Sequence, residues 1–152
     1  MAISKKAAGS TAAVAALVAA FLMPHEGTRT VAYRDPVGIW TICNGETQGV
    51  HAGETKTKAQ CQQMLVQTVP QYLGPVNRMM PGLPVNRQVA YADFAYNAGV
   101  GTLERSRIPA LEHVGQWRAA CDELLRYDRA GGEILPGLVA RRRDERNLCV
   151  KS

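Results

Sequence analysis

The chain has no Cys-x2-Cys pair, and its four cysteines (Cys43, Cys61, Cys121, Cys149) and three histidines (His25, His51, His113) are scattered. Structural zinc sites use closely spaced ligand pairs, so a metal centre is not expected, and nothing in the sequence calls for a cofactor. No aromatic-plus-basic module and no recognition-helix signature occur, which leaves nucleic acid without support as a partner. Internal repeats are absent, and low complexity is confined to the N-terminal alanines. A strongly apolar run is missing too. Residues 7–23 carry no charge, but they are mostly alanine with Gly9, Ser10 and Thr11, whereas a stable membrane span wants about 20 strongly apolar residues.

What is present describes one globular domain. The chain has 152 residues, 46% apolar and 20% charged, enough to bury a core without staples. Net charge is +5 and the pI about 9.2. That balance favours anionic surroundings such as a membrane surface or an acidic wall polymer. The even cysteine count fits two disulfides in an oxidising compartment, with four buried reduced thiols as the alternative.

Three residues near the N-terminus carry the chemistry. Glu26, Asp35 and Thr41 form the pattern E-x8-D-x5-T, with glycines and aromatics between its members. Two carboxyls and a hydroxyl are the minimal set for splitting a glycosidic bond. One acid stays protonated to donate to the leaving oxygen, and the other stays ionised to activate water or meet the sugar cation. Glu26 follows the apolar run by three residues and should be partly desolvated, which favours its neutral form; Asp35 lies in a polar turn, where ionisation is cheaper.

Residues 7–23, preceded by Lys5 and Lys6, support three readings: a cleaved signal peptide, a buried alanine-rich core helix, and a weak anchor that first inserts and then slips out. The anchor reading is preferred, because anchor and candidate site would then share one helix. Beyond it, Thr30 to about Val50 alternates β-favouring residues with turn residues and predicts a small antiparallel sheet or hairpin pair. Thr57 with Gln60 fits a capping box, opening a helix with Cys61, Met64, Leu65 and Val69 on one face. Pro70 should bend or end it, with Tyr72, Leu73, Val76 and Met80 continuing the stripe. Asn86 is a candidate cap for a helix carrying Val89, Ala90, Phe94 and Ala98 and stopped by Gly99 and Gly101. Helical spacing recurs over Ile108–Val114, Trp117–Leu125 and Leu138–Cys149, the last two separated by Gly131-Gly132 and Pro136-Gly137. The fold class expected is α+β: a small N-terminal β lobe, a larger helical lobe, and a cleft between them.

The run from His25 through Thr47 closely resembles the phage lysozymes of glycoside hydrolase family 24, in particular endolysins with an N-terminal signal-anchor-release segment. The likeness extends to Phe94–Gly99 and to Gly131-Gly132 through Arg142. It implies a lysozyme-like fold, with residues 1–24 as the signal-anchor-release segment forming the first helix and 25–152 as the catalytic domain. By position it makes Glu26 the general acid, Asp35 the second carboxylate and Thr41 the hydroxyl that holds the attacking water. It further implies a monomeric muramidase acting on peptidoglycan glycan strands, first tethered at the host inner membrane and then released to the periplasm. A lytic transglycosylase and a non-catalytic wall-binding protein are the rival readings. Two departures stand out: Glu46 where relatives often carry His, and Ser106-Arg107 where Ser-Thr is common. Arg141-Arg142-Arg143 with Arg146 reads as a solvated helix face, or as the source of an arginine beneath Glu26, from Arg141 or Arg142. Tyr33 and Trp40 read as packing, with sugar-stacking platforms as the alternative, and Trp117 reads as core. Cys43–Cys61 and Cys121–Cys149 are the expected pairs, since each joins segments expected to be neighbours. No cysteine lies in residues 1–42, so thiol exchange from the anchor cannot drive activation.

Overall fold

The computed structural model describes residues 10–152; Lys5, Lys6 and the first three residues of the apolar run lie outside the described residues. Helix α1 (Thr11–Glu26) starts at Ser10, whose side chain accepts from the Ala13 amide, and ends at Gly27. Val14, Ala15, Val18, Ala19 and Leu22 repeat at helical spacing and are buried, so the alanine-rich run serves here as a core helix. Burying Val14, Val18 and Leu22 alone is worth roughly 5–9 kcal/mol. No helix among the described residues is long and apolar enough to cross a membrane.

The β lobe follows. Strand β1 (Arg29–Arg34) pairs antiparallel with β2 (Trp40–Cys43), with Tyr33 opposite Thr41 and Arg34 opposite Trp40. The Glu54–Lys56 segment runs alongside β1 through Ala32 N–H to Glu54 O and Lys56 N–H to Thr30 O, both 2.9 Å. A capping box of Thr57 and Gln60 opens α2 (Lys58–Thr68), as the sequence predicts. Pro70 does not interrupt the helical path of the backbone. Val69 stays helical, and its carbonyl accepts from Leu73 N–H, so α3 (Pro70–Met79) continues the buried stripe through Leu73, Val76 and Met80.

At the centre lies α4 (Val85–Ala98), in which every residue from Val89 to Ala95 is buried and which packs against α1, α3 and α8. Its start corrects one expectation: Pro84 occupies the cap and Asn86 lies inside the first turn, since Pro fixes a backbone angle suited to helix entry. Gly99 ends α4 at φ 100°, but Gly101 falls within α5 (Val100–Arg105) and stops nothing. Helices α6 (Ile108–His113) and α7 (Trp117–Glu123) then lead to a 3-10 turn at Leu124–Arg126. Ser106 accepts from Ile108 N–H at 3.2 Å just ahead of α6, whose cap position is occupied by Arg107. Trp117 is half-buried at the edge of the core, between the guanidinium groups of Arg87 and Arg118.

A second hairpin, β3 (Arg129–Ala130) with β4 (Glu133–Ile134), turns at Gly131-Gly132 where only a break was expected. Pro136-Gly137 is not a separator either; Pro136 opens α8 (Pro136–Cys149), consistent with the preference of proline for the first helical turn. Both expected disulfides form, Cys43–Cys61 tying the hairpin to α2 and Cys121–Cys149 tying α7 to α8. The fold is α+β, with the hairpin against one end of a helical body.

Candidate active site

Glu26 is the last residue of α1, and Gly27 at φ 68°, ψ 155° turns the chain out of the helix into β1. That backbone region is essentially reserved for glycine, so the turn that aims Glu26 depends on Gly27. Asn44 fixes the same turn from the hairpin: its Nδ2 donates to Gly27 O at 2.7 Å and to Thr28 Oγ1 at 3.1 Å. Tyr96 of α4 donates its hydroxyl to Asn44 O at 3.1 Å, joining the helical body to the hairpin. Burial, with Glu26 and Glu46 nearby, pushes the Tyr96 phenol up to about 12, so it stays a donor.

An open pocket of about 380 Å³ forms where α1 gives way to the hairpin. Glu26, Arg29, Tyr33 and Asn44 are among the residues lining it. Asp35 and Thr41 do not line this pocket but lie next to its wall, Asp35 two residues beyond Tyr33 and Thr41 opposite Tyr33 in the ladder. Asp35 Oδ1 accepts from Val37 N–H at 2.9 Å and Ile39 N–H at 2.8 Å, which shapes the turn between the strands. Thr41 is buried and donates to Ile39 O at 3.0 Å. Tyr33 and Trp40 are half-buried, stacked with Arg29 and Arg34 respectively. Glu46 accepts from Thr68 at 3.1 Å, so this departure from the family pattern fastens the end of the hairpin to α2.

Beneath Glu26 lies a buried charge cluster. Arg141 Nη1 donates to Glu26 Oε1 at 2.5 Å, which settles the choice between Arg141 and Arg142. The expectation of a solvated arginine face fails for both. Arg141 and Arg142 are 4% and 1% exposed, and only Arg143 points to solvent, while Arg146 pairs with Asp122 at 2.8 Å. Arg141 is gripped from below by Asp93, Nε to Oδ2 at 3.0 Å and Nη2 to Oδ1 at 2.9 Å. Burial alone would lower the affinity of Arg141 for its proton, but Asp93 and Glu26 outweigh it and hold the guanidinium charged. Arg142 is pulled below the usual range by burial, partly offset by Glu145; it donates to Asn97 and lies over the Phe94 ring. Glu145 is fully buried, 3.1 Å from Arg142 Nε, yet neither of its oxygens receives a hydrogen bond. Burial first, and Asp93 second, raise its carboxyl well above the carboxylate range.

Sequence reasoning singled out Glu26, Asp35 and Thr41 as candidates and left the choice between Arg141 and Arg142 open, but it did not single out Asp93, Glu145 or Asn44. The available signal for Asp93 was a charged residue four positions after Val89, on the stripe assigned to the core. Among the described residues no group of histidines, cysteines and acids could hold a metal ion.

The arrangement matches known proteins over most of its length. The phage lysozyme family profile matches residues 23–145. The SAR-endolysin of Pseudomonas phage phiKMV is 35% identical over 147 residues, 92% of this chain and 89% of the relative. That of Enterobacteria phage PA-2 is 34% identical over 129 residues, 82% and 77%. The active form of the P1 phage endolysin Lyz superposes with a TM-score of 0.76 at 26% identity, covering 93% of this chain and 94% of that one. The secreted inactive form of the P1 endolysin superposes with a TM-score of only 0.55, at 23% identity and the same coverage. With a lysozyme-like α+β fold and a family match spanning the candidate acids, the hairpin and most of α8, this chain belongs to the phage lysozyme family.

Proposed function

We propose that the protein is a muramidase that cleaves the β-1,4 bond between N-acetylmuramic acid and N-acetylglucosamine in peptidoglycan, lysing the host of a phage. The observation that carries this reading is the placement of Glu26. It sits at the exit of α1, tied to Arg141 of α8 and open to a pocket shared with the hairpin that bears Asp35 and Thr41. Glu26 donates its proton to the glycosidic oxygen as the bond to the leaving sugar breaks. Asp35 takes a proton from water as that water attacks the anomeric carbon, and Thr41 orients it. Two acids separated by room for a water give inversion of configuration.

The similarity to SAR-endolysins supports a two-stage life for α1. Residues 1–24 first tether the protein to the inner membrane, inactive; the chain then leaves the bilayer as a full-length monomer and becomes active in the periplasm. Energetics favour release. Val14, Leu17, Val18, Phe21 and Leu22 give roughly 1.5–3 kcal/mol of insertion energy on the translocon scale. Docking the buried face in the folded body returns roughly 5–9 kcal/mol.

The test is clearing of outer-membrane-stripped Gram-negative cells by full-length protein beside Glu26→Gln. The wild type should clear them and the variant should lose about 10²–10⁴-fold in rate with its melting temperature kept. Products should carry a free reducing end, initially of inverted configuration. Anhydro sugars would assign a lytic transglycosylase instead, and full effect of Glu26→Gln would assign a wall-binding protein.

A further inference from the structure

The chemistry proposed for Glu26 conflicts with its nearest neighbour. A proton donor must hold its proton until the bond breaks, yet a bare arginine within hydrogen-bond reach stabilises the carboxylate, commonly by one to three pH units. We propose that Asp93 resolves the conflict as a positioning residue: by pairing with Arg141 it cancels most of the guanidinium charge, leaving Glu26 a hydrogen-bond donor beneath it rather than a free cation. This rests on the hydrolase reading above.

The geometry singles out Asp93. It is fully buried and takes two of the guanidinium nitrogens, Nε at 3.0 Å and Nη2 at 2.9 Å, so only Nη1 is left to face Glu26. Such a forked pair is rigid and nearly neutral at a distance. The other charged and titratable groups around Glu26 do not supply this compensation; from β1, Arg29 lines the same pocket, adds positive charge and is stacked on Tyr33. From α1, His25 faces Asp144 of α8 at 3.5 Å. From α4, Tyr96 is a neutral phenol joined to Asn44. From α8, Arg142 adds positive charge and is directed to Asn97 and Phe94. Glu145 approaches Arg141 Nε only to 3.8 Å, and both its oxygens lack hydrogen-bond donors. A buried carboxylate without donors is costly, so Glu145 is the member of the cluster that keeps a proton and brings no charge. Asp93 is therefore the counter-charge of Arg141.

The test is the pH dependence of kcat/KM on purified peptidoglycan for full-length wild type, Asp93→Asn, Asp93→Ser, and Asp93→Asn combined with Glu145→Gln. The double variant matters because Glu145 would otherwise ionise in place of the lost charge. The alkaline side of the profile should move about one pH unit lower in each variant, with kcat at neutral pH reduced and KM unchanged. A profile that superposes on wild type in folded single and double variants overturns the proposal, because a purely structural role would lower activity without moving the limb. If the variants do not fold, carbon-13 NMR of the wild-type carboxyls decides. Asp93 ionised while Glu26 is protonated at the working pH is the expected order, and the reverse order overturns it. An inactive wild type would instead sink the hydrolase reading; an active one with an unmoved profile sinks only the role of Asp93.

Discussion

At the scale of the residue, the same side chain can serve chemistry and architecture, and substitutions can separate the two. Asp35 Oδ1 accepts two backbone N–H groups of its own turn. Asparagine keeps an acceptor oxygen there and alanine does not. Asp35→Asn should therefore lose about 10²–10⁴-fold in wall cleavage with an unchanged melting temperature, while Asp35→Ala should lose the same rate and about 1–2 kcal/mol of stability. Parallel turbidity and thermal-melt measurements check both; equal melting temperatures for the two variants would show that the turn does not need the carboxyl. Thr41→Val, which removes the hydroxyl proposed to orient the water together with its hydrogen bond to Ile39 O, should cost only about five- to tenfold. Glu26 stood out as a candidate because it shares the E-x8-D-x5-T spacing with Asp35 and Thr41, with Gly27, Tyr33 and Trp40 around it. Asp93 was not, since a lone acid on an apolar stripe looks like a solvated charge until α8 supplies Arg141 from 48 residues away.

At the scale of the element, legibility followed the range of the forces. The capping box of Thr57 and Gln60 and the passage from α2 to α3 at Pro70 are set by neighbours within four residues, and the sequence showed both. Asn86 and Pro136-Gly137 misled because propensity alone cannot place a boundary. Pro84 and Pro136 each start a helix from inside a segment that also reads as a turn. The two-residue strands β3 and β4 are too short for any alternation to appear. Disulfide pairing followed from which elements adjoin. Cys121–Cys149 closes a separation of 28 residues between α7 and α8, and α8 carries Arg141. In the chain-entropy account that crosslink contributes about 3–4 kcal/mol. Replacing Cys121 and Cys149 together by serine should lower the unfolding free energy by about that much. It should also lower wall-cleaving activity at 37 °C, as measured by denaturant titration and turbidity; a loss under 1 kcal/mol would mean that α8 is held by packing alone.

At the scale of the whole molecule, the proposed two-stage life would require α1 to satisfy two environments with one sequence. Its buried face (Val14, Ala15, Val18, Ala19, Leu22) is spent on the core, whereas Ala12, Ala13, Ala16 and Ala20 remain exposed in the folded protein. Small residues there cost the fold nothing and deny the bilayer the large side chains that would hold the segment. This division of labour makes a specific prediction. Leucine at Ala12, Ala13, Ala16 and Ala20 adds roughly 1–2.5 kcal/mol of insertion energy and gains nothing in the released fold. An addition near 2 kcal/mol shifts the balance between tethered and released protein about thirtyfold. The quadruple variant should therefore stay in the membrane fraction after depolarisation, when wild-type full-length protein has moved to the periplasm, and lysis should be delayed accordingly. Leucine substitution confined to Gln62 and Gln63, on the exposed side of α2, should leave fractionation unchanged. Equal release of the α1 variant and wild type would mean that side-chain size on that face does not govern escape, and that the tether is held by something other than its apolarity.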